Sequence, residues 1–208
     1  MVVTRIEELS KSRSRIYIEE EAAFVLYKGE LRLYHVRQGE DLAQEDYETI
    51  LGQVLPRRAR LRAMNLLKSR DYTTKQLHDK LKEGYYPEDV ITQALEYVAG
   101  YHYIDDLRYA VSYITGQESV RSHRRIEQDL IRKGIDRETL EQAWQVWEDQ
   151  GGVQDEQSMI RKLLEKKKYD PEHADRKELQ RLYAFLMRKG FSGEQIRKVL
   201  LWEDAWEA

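Results

Sequence analysis

The 208 residues contain no cysteine, which removes disulfides, thiol nucleophiles and most structural zinc schemes together. Proline is nearly as scarce, at three in the whole chain, so long stretches lack the residue that breaks helices. No apolar run approaches the roughly 20 residues needed to span a bilayer. Arg5, Glu7 and Glu8 follow Met1 too early to leave room for a signal-peptide hydrophobic region, and a cytoplasmic protein is expected. An excess of one charge is missing as well. Lysine and arginine number 35 against 38 acidic residues, a formal charge of −3, so overall basicity does not point to nucleic acid.

What is present favours helices. Hydrophobic residues make up 41% and charged residues 35%, enough to build cores but with large solvated faces. That balance suits helices with one apolar stripe, packed in narrow layers. Charge is uneven along the chain: residues 1–55 carry 7 basic against 11 acidic side chains, whereas 56–150 hold 16 of each.

Residues 1–36 read as β. Val3-Thr4-Arg5-Ile6 alternates weakly and Arg15-Ile16-Tyr17-Ile18-Glu19 clearly, with Ser10-Lys11-Ser12-Arg13 as the turn between them. Ala23–Tyr27 is a short apolar run ended by Lys28-Gly29, and Leu31–Val36 fits a strand or a short helix. From Leu42 to Leu55 the spacing of Leu42, Tyr47, Ile50, Leu51 and Val54 is helical, and Pro56 is expected to separate this unit from the next.

Beyond Arg57 one ladder repeats three times. Leu77 and Leu81 are followed by Ile91 and Leu95; Ile126 and Leu130 by Leu140 and Trp144; Leu182 and Leu186 by Ile196 and Leu200. Each pair is spaced i, i+4 and therefore shares one helix face. Between the pairs lie Gly84, Gly134 and Gly190, each suited to the left-handed residue that closes a helix. Thr73-x2-Gln76 and Ser192-x2-Gln195 are capping boxes, Asp136 can cap its helix, and Pro87 and Asp170-Pro171 fit helix starts.

Each hairpin has a helix before it: Arg57–Arg70 with Leu61, Met64 and Leu67; Asp106–Thr115 with Leu107, Ala110, Val111 and Ile114; and Val153–Lys168 with Ile160, Leu163 and Leu164. The fold class expected is mainly α, with tandem three-helix repeats in an elongated curved array after a small N-terminal β-rich segment. The divisions are 1–56 for the β-rich segment plus a helix, then repeats at 57–102, 103–150 and 151–208. Such triplets are expected to bury their stripes by stacking on one another.

Catalysis has little to stand on. Asp105-Asp106 is the nearest approach to a metal or acid–base pair, but adjacent carboxylates leave a helix on different sides. They read as a helix cap and a first-turn acid. His35, His78, His102, His123 and His173 are scattered, and no phosphate-binding glycine loop or nucleophile elbow occurs. No cofactor and no metal are expected, and the chain reads as a binding protein.

The basic clusters are the candidates. Arg57-Arg58-x-Arg60-x-Arg62 opens the first repeat and must place at least two arginines on a solvated face. Arg121, Arg124 and Arg125 surround a helix start, where the dipole does not favour cations. Helix stability explains them poorly and an anionic partner explains them better, with His123 as a further phosphate contact. Arg132-Lys133 and Arg188-Lys189 stand at helix ends, where cations stabilise the helix by roughly 0.3–1 kcal/mol. Lys166-Lys167-Lys168 is a similar, solvated helix end. The candidate partner- or DNA-binding set is Arg57, Arg58, Arg121, His123, Arg124, Arg125, Arg132 and Lys133. Tyr85, Tyr86, Tyr97, Tyr101, Tyr103, Tyr109, Tyr113, Trp144, Trp147 and Trp202, interleaved with arginine, could stack on bases but read chiefly as packing, and Trp206 as the aromatic placed to meet a partner.

Taken in order, the motifs resemble the RecX family. Leu66-Leu67-Lys68-Ser69-Arg70-Asp71-Tyr72-Thr73-x2-Gln76-Leu77-x2-Lys80-Leu81-x2-Gly84 is similar to that family's first repeat. Tyr103-Ile104-Asp105-Asp106-Leu107-Arg108-Tyr109-Ala110 resembles its entry into the second, and Arg124-Arg125-Ile126-x3-Leu130-x2-Lys133-Gly134-Ile135 its second-repeat signature. The likeness covers about residues 57–204, and the β segment is similar to an extension found on some members. Where the family often has glycine and then proline before the paired arginines, this chain has Ser122 and His123. Gly84 also stands one residue earlier than its counterparts, read as a local turn difference. The resemblance implies a modulator, and chiefly a negative regulator, of the RecA recombinase. It would dock along the RecA–DNA filament, with single- or double-stranded DNA reached through the filament; separately from the resemblance, a monomer is expected. The alternatives are a general nucleic-acid-binding helical-repeat protein and an inert protein–protein scaffold.

Overall fold

The computed structural model describes residues 1–200, so Trp202 and Trp206 lie outside the described residues. The chain divides into two compact units, Met1–Asp105 and Asp106–Ala208.

In the first unit, β1 (Val3–Ser10), β2 (Arg13–Ile18) and β3 (Glu21–Tyr27) form an antiparallel sheet in the order β1-β2-β3. The period-two pattern of β2 works as expected: Ser14, Ile16 and Ile18 are buried and their neighbours are not. Ile16 pairs with Ile6 on one side and Phe24 on the other, so the central strand carries the core face. The ambiguous segment after β3 begins as a helix, α1 (Lys28–Leu33), which leaves Leu33 exposed.

Pro56 does not separate anything. Helix α2 (Gln44–Thr49) runs through a π-helical turn, Ile50–Val54, directly into α3 (Leu55–Leu67). The Leu55 N–H donates to the Ile50 carbonyl five residues back, and Pro56 falls in the first turn of α3, where a missing N–H is tolerated. The wide turn also explains the buried stripe. Ile50, Leu55, Ala59 and Ala63 are at most 1% exposed, and their spacing is five, then four, then four. Leu61, expected in the core, is 53% exposed, because α3 turns its small Ala59/Ala63 face to the core and packs along α5. Helices α4 (Thr74–Lys82) and α5 (Glu88–Gly100) complete the triplet, and Leu77, Leu81 and Ile91 join Ile16, Phe24 and Leu55 in a single core with the sheet.

The second unit holds α6 (Asp106–Gln117), α7 (His123–Arg132) and α8 (Arg137–Asp149), then α9 (Glu156–Lys166), α10 (Arg176–Arg188) and α11 (Gly193–Leu200). Its ladder residues are buried inside their own triplets, in two separate cores, and not between neighbours as the stacking argument expects. Trp144 and Trp147 meet edge-on within the first of these cores.

Most expected caps form. Thr73 and Gln76 make a reciprocal capping box, and Asp136 accepts from the third backbone N–H of its helix; Ser122 does the same for α7. Ser192 caps one way only, since the Gln195 side-chain oxygen is buried with no partner among the described residues. Asp170-Pro171 lies in a turn, and the next helix starts later with Asp175 as its cap.

Gly134 and Gly190 take the left-handed conformation at φ +93° and +94°, and the N–H groups of Ile135 and Phe191 close back onto Leu130 and Leu186. The first repeat differs from expectation: the left-handed residue after α4 is Tyr85, at φ +62°, and not Gly84. Three tyrosines expected in packing stand at the surface instead, Tyr85, Tyr101 and Tyr103. Tyr97, Tyr101 and Tyr103 form a ladder with ring centroids 4.9 and 5.8 Å apart.

Candidate functional site

The second unit gathers the charged residues most densely around one buried carboxylate. Asp129 lies on the inner side of α7, its side chain 8% exposed. Arg121, just before the helix, and Arg132, in its last turn, both donate to it. Arg125 approaches at 3.5 Å, and the Tyr113 hydroxyl of α6 donates at 3.4 Å. Burial pushes the Asp129 carboxyl up, but the hydrogen bond from Arg121 and the charges of Arg125, Arg121 and Arg132 outweigh it, so the group titrates below its ordinary value. Three guanidiniums share one carboxylate, and the cluster keeps a net positive charge. Arg121, Arg125 and Arg132 remain 39%, 42% and 61% exposed, so their outer edges are available.

This arrangement changes the reading of the helix start. The anion at the N-terminus of α7 is internal: Glu156 of α9 accepts from the His123 backbone N–H at 2.7 Å. The His123 ring stacks on Trp144 at 3.9 Å between centroids, inclined by 16°, and is tied to packing. The Ser122 hydroxyl accepts from the Arg125 N–H and donates to the Lys189 carbonyl at 2.9 Å. The end of α10 therefore abuts the start of α7. At this junction a cleft of about 500 Å³ opens, lined by Arg121, Arg125, Arg188, Lys189, Phe185 and Phe191 among others. Among the described residues lining it none is acidic.

Arg188 and Lys189 read in sequence as helix-end cations, and their convergence with Arg121 and Arg125 was not legible there. Only the packing of one triplet's turn on another's helix start brings the two pairs together. Lys133 sits over the Tyr109 and Tyr113 rings at 5.9 and 5.3 Å. Arg124 is exposed, and no ion pair engages it among the described residues.

The arginines of the first repeat divide. Arg57 and Arg62 are exposed. Arg58 turns inward, donating to the Val25 carbonyl at 3.1 Å, pairing with Glu30 at 3.3 Å and lying over the Tyr27 ring. Arg60 covers Tyr97 at 5.1 Å. Asp105 and Asp106 stand just before and at the start of α6, and no group of three or more potential metal ligands occurs among the described residues. No described helix is long and apolar enough to cross a membrane.

Three helix triplets in series, preceded by a three-stranded sheet and carrying arginine-rich helix starts, define a protein of tandem three-helix domains. Known proteins place it further. Residues 59–97, 105–143 and 154–200 match the first, second and third three-helix domains of RecX, in that order. The Regulatory protein RecX of Caldanaerobacter subterraneus subsp. tengcongensis is 30% identical over 202 residues, covering 96% of this chain and 98% of the relative. That of Clostridioides difficile is 26% identical over 205 residues, covering 96% and 94%. A crystal structure of regulatory protein RecX superposes with a TM-score of 0.63 at 25% identity, covering 95% of this chain and 98% of the other. RecX from Lactobacillus salivarius gives 0.58 at 25% identity, covering 73% and 98%. The chain belongs to the RecX family of regulatory proteins.

Proposed function

We propose that the chain regulates the RecA recombinase, binding the RecA–DNA filament and restraining its growth or activity in recombination and DNA repair. The observation that carries this reading is the match to all three RecX three-helix domains in order. In this reading it is a cytoplasmic, monomeric binding protein and not a catalyst. The contact surface is the α7 face, where Arg121, Arg125 and Arg132 are held in common by Asp129 and Arg124 has no ion pair among the described residues. Arg57 and Lys133 extend the set. Arg58 and His123 contribute through the packing they hold, since both side chains are engaged internally.

The test is RecA-catalysed ATP hydrolysis on single-stranded DNA. An equimolar amount of this protein should lower the rate, and an unchanged rate sinks the proposal. Arg124→Glu is the cleanest variant, because reversing Arg125 would set a carboxylate against Asp129. It should weaken the inhibition several-fold with an unchanged circular dichroism spectrum.

A second reading is a general nucleic-acid-binding protein. The cleft, with no acid among its described lining residues and Phe185 beside four cations, favours it. It requires DNA affinity without RecA, falling steeply with salt.

A further inference from the structure

The turn after α4 departs from its two equivalents in a way that leads to a second cleft, in the first unit. After α7 and α10 a glycine takes the left-handed position, and the next residue, Ile135 or Phe191, is 2% exposed in its own core. After α4 the left-handed position is filled by Tyr85, and the next residue is Tyr86. A side chain with a Cβ is disfavoured there by roughly 1–2 kcal/mol, so a large aromatic at this position is retained against a backbone penalty. His102 and Lys168 are also left-handed at helix ends. Tyr85 is distinguished by where its ring lies.

Tyr85 and Tyr86 form one wall of a cleft of about 370 Å³ between the sheet and the first triplet, and Arg13, Arg58, Arg62 and Lys80 line it with them. Glu83 is the one acid among the described lining residues, and it is spent on Lys80 at 2.7 Å. Arg58 is paired with Glu30, yet its Nε–H is buried without an acceptor among the described residues. Arg13 and Arg62 have no ion pair among the described residues. The Arg15 guanidinium lies 3.9 Å from the Tyr85 ring centroid and braces the ring from a neighbouring cleft. Burial pushes the Tyr86 phenol above its ordinary value, and its protonated hydroxyl is a hydrogen-bond donor.

Two unpaired guanidiniums fit phosphate oxygens with bidentate geometry. A braced tyrosine offers a stacking surface for a flat ring. The cleft lies within the roughly 300–1,000 Å³ of small-ligand sites. We propose that this cleft binds a free nucleoside polyphosphate, its phosphates on Arg13 and Arg62 and its base against Tyr85. This site is separate from the α7 face and does not depend on the RecA reading.

The experiment is isothermal titration of the full chain with ADP, inorganic pyrophosphate and a dT oligonucleotide. One ADP should bind per chain. Arg13→Ala with Arg62→Ala should weaken it at least ten-fold, and Tyr85→Gly at least five-fold. Tyr85→Gly relieves the left-handed backbone, so its thermal midpoint should be unchanged or higher, which separates lost binding from lost folding. The proposal is overturned by absent ADP binding, by variants that bind as wild type, or by pyrophosphate binding as tightly as ADP. It is equally overturned if only the oligonucleotide binds.

Discussion

At the scale of single residues, Asp129 matters most to the candidate site. Its folded pKa lies below that of an unfolded aspartate, about 3.9, because three arginines favour the charged form more than burial opposes it. The unfolded chain therefore takes up this proton first as pH falls. The stability Asp129 contributes is fully present above pH about 4 and is lost between that value and the lower folded pKa. Asp129→Asn should remove this part of the acid slope, so that urea-unfolding curves of variant and wild type converge below pH 4. At pH 7 the variant should be less stable by about 1–2 kcal/mol, a modest figure because the arginine ends are solvated. Sequence alone could not single out Asp129. It is one of 38 acids, and what marks it is the i, i+4 spacing from Arg125 and i, i+3 to Arg132, a pattern common on solvated helices.

At the scale of elements, the junction between the α10 turn and the α7 start is the most demanding. A Cβ on Gly190 would stand 2.6 Å from the Ser122 Oγ, while one on Gly151, also left-handed, meets nothing within 4 Å. Gly151→Ala should therefore cost only the backbone term, roughly 1–2 kcal/mol. Gly190→Ala should cost at least about 1 kcal/mol more, from the clash that displaces the cap. Equal urea midpoints for the two would show that the junction is loose. Elements with strong periodicity were legible in advance: β2 by its alternation, the three hairpins by their paired i, i+4 residues and intervening glycines. The α3 stripe was not, because its inward residues are Ala59 and Ala63 while Leu61, more hydrophobic, faces out. Nor was the Tyr85 turn, since only the backbone shows which residue becomes left-handed when Gly84 comes one position early.

At the scale of the molecule, the ladder residues occupy three separate cores, the first shared with the sheet. Leu130 is fully buried in the second core. Leu130→Ala should cost roughly 2–5 kcal/mol. Because the cores are separate, the loss should appear in the slowest-exchanging amides of α6, α7 and α8 and leave those of β1–β3 and α3–α5 at wild-type rates. Hydrogen exchange followed by mass spectrometry reads both, and accelerated exchange throughout the first unit would contradict the partition. The arrangement into triplets could be read from the chain, but the independence of the cores could not, because an apolar stripe does not say which neighbour covers it.

The wide turn at Ile50–Val54 has a consequence of phase. In an α-helix five residues subtend about 500°, which would leave Ile50 and Leu55 about 140° apart and drive one of them out of the core. The extra residue held in the turn brings both to the same side, so residues 50–54 act as a timing element between the N-terminal segment and the first triplet. Deleting Gly52 would remove no hydrophobic side chain. It would leave Ile50 and Leu55 four residues apart, about 40° around a regular α-helix, so the wide turn would close to an ordinary one with the N-terminal segment kept in phase.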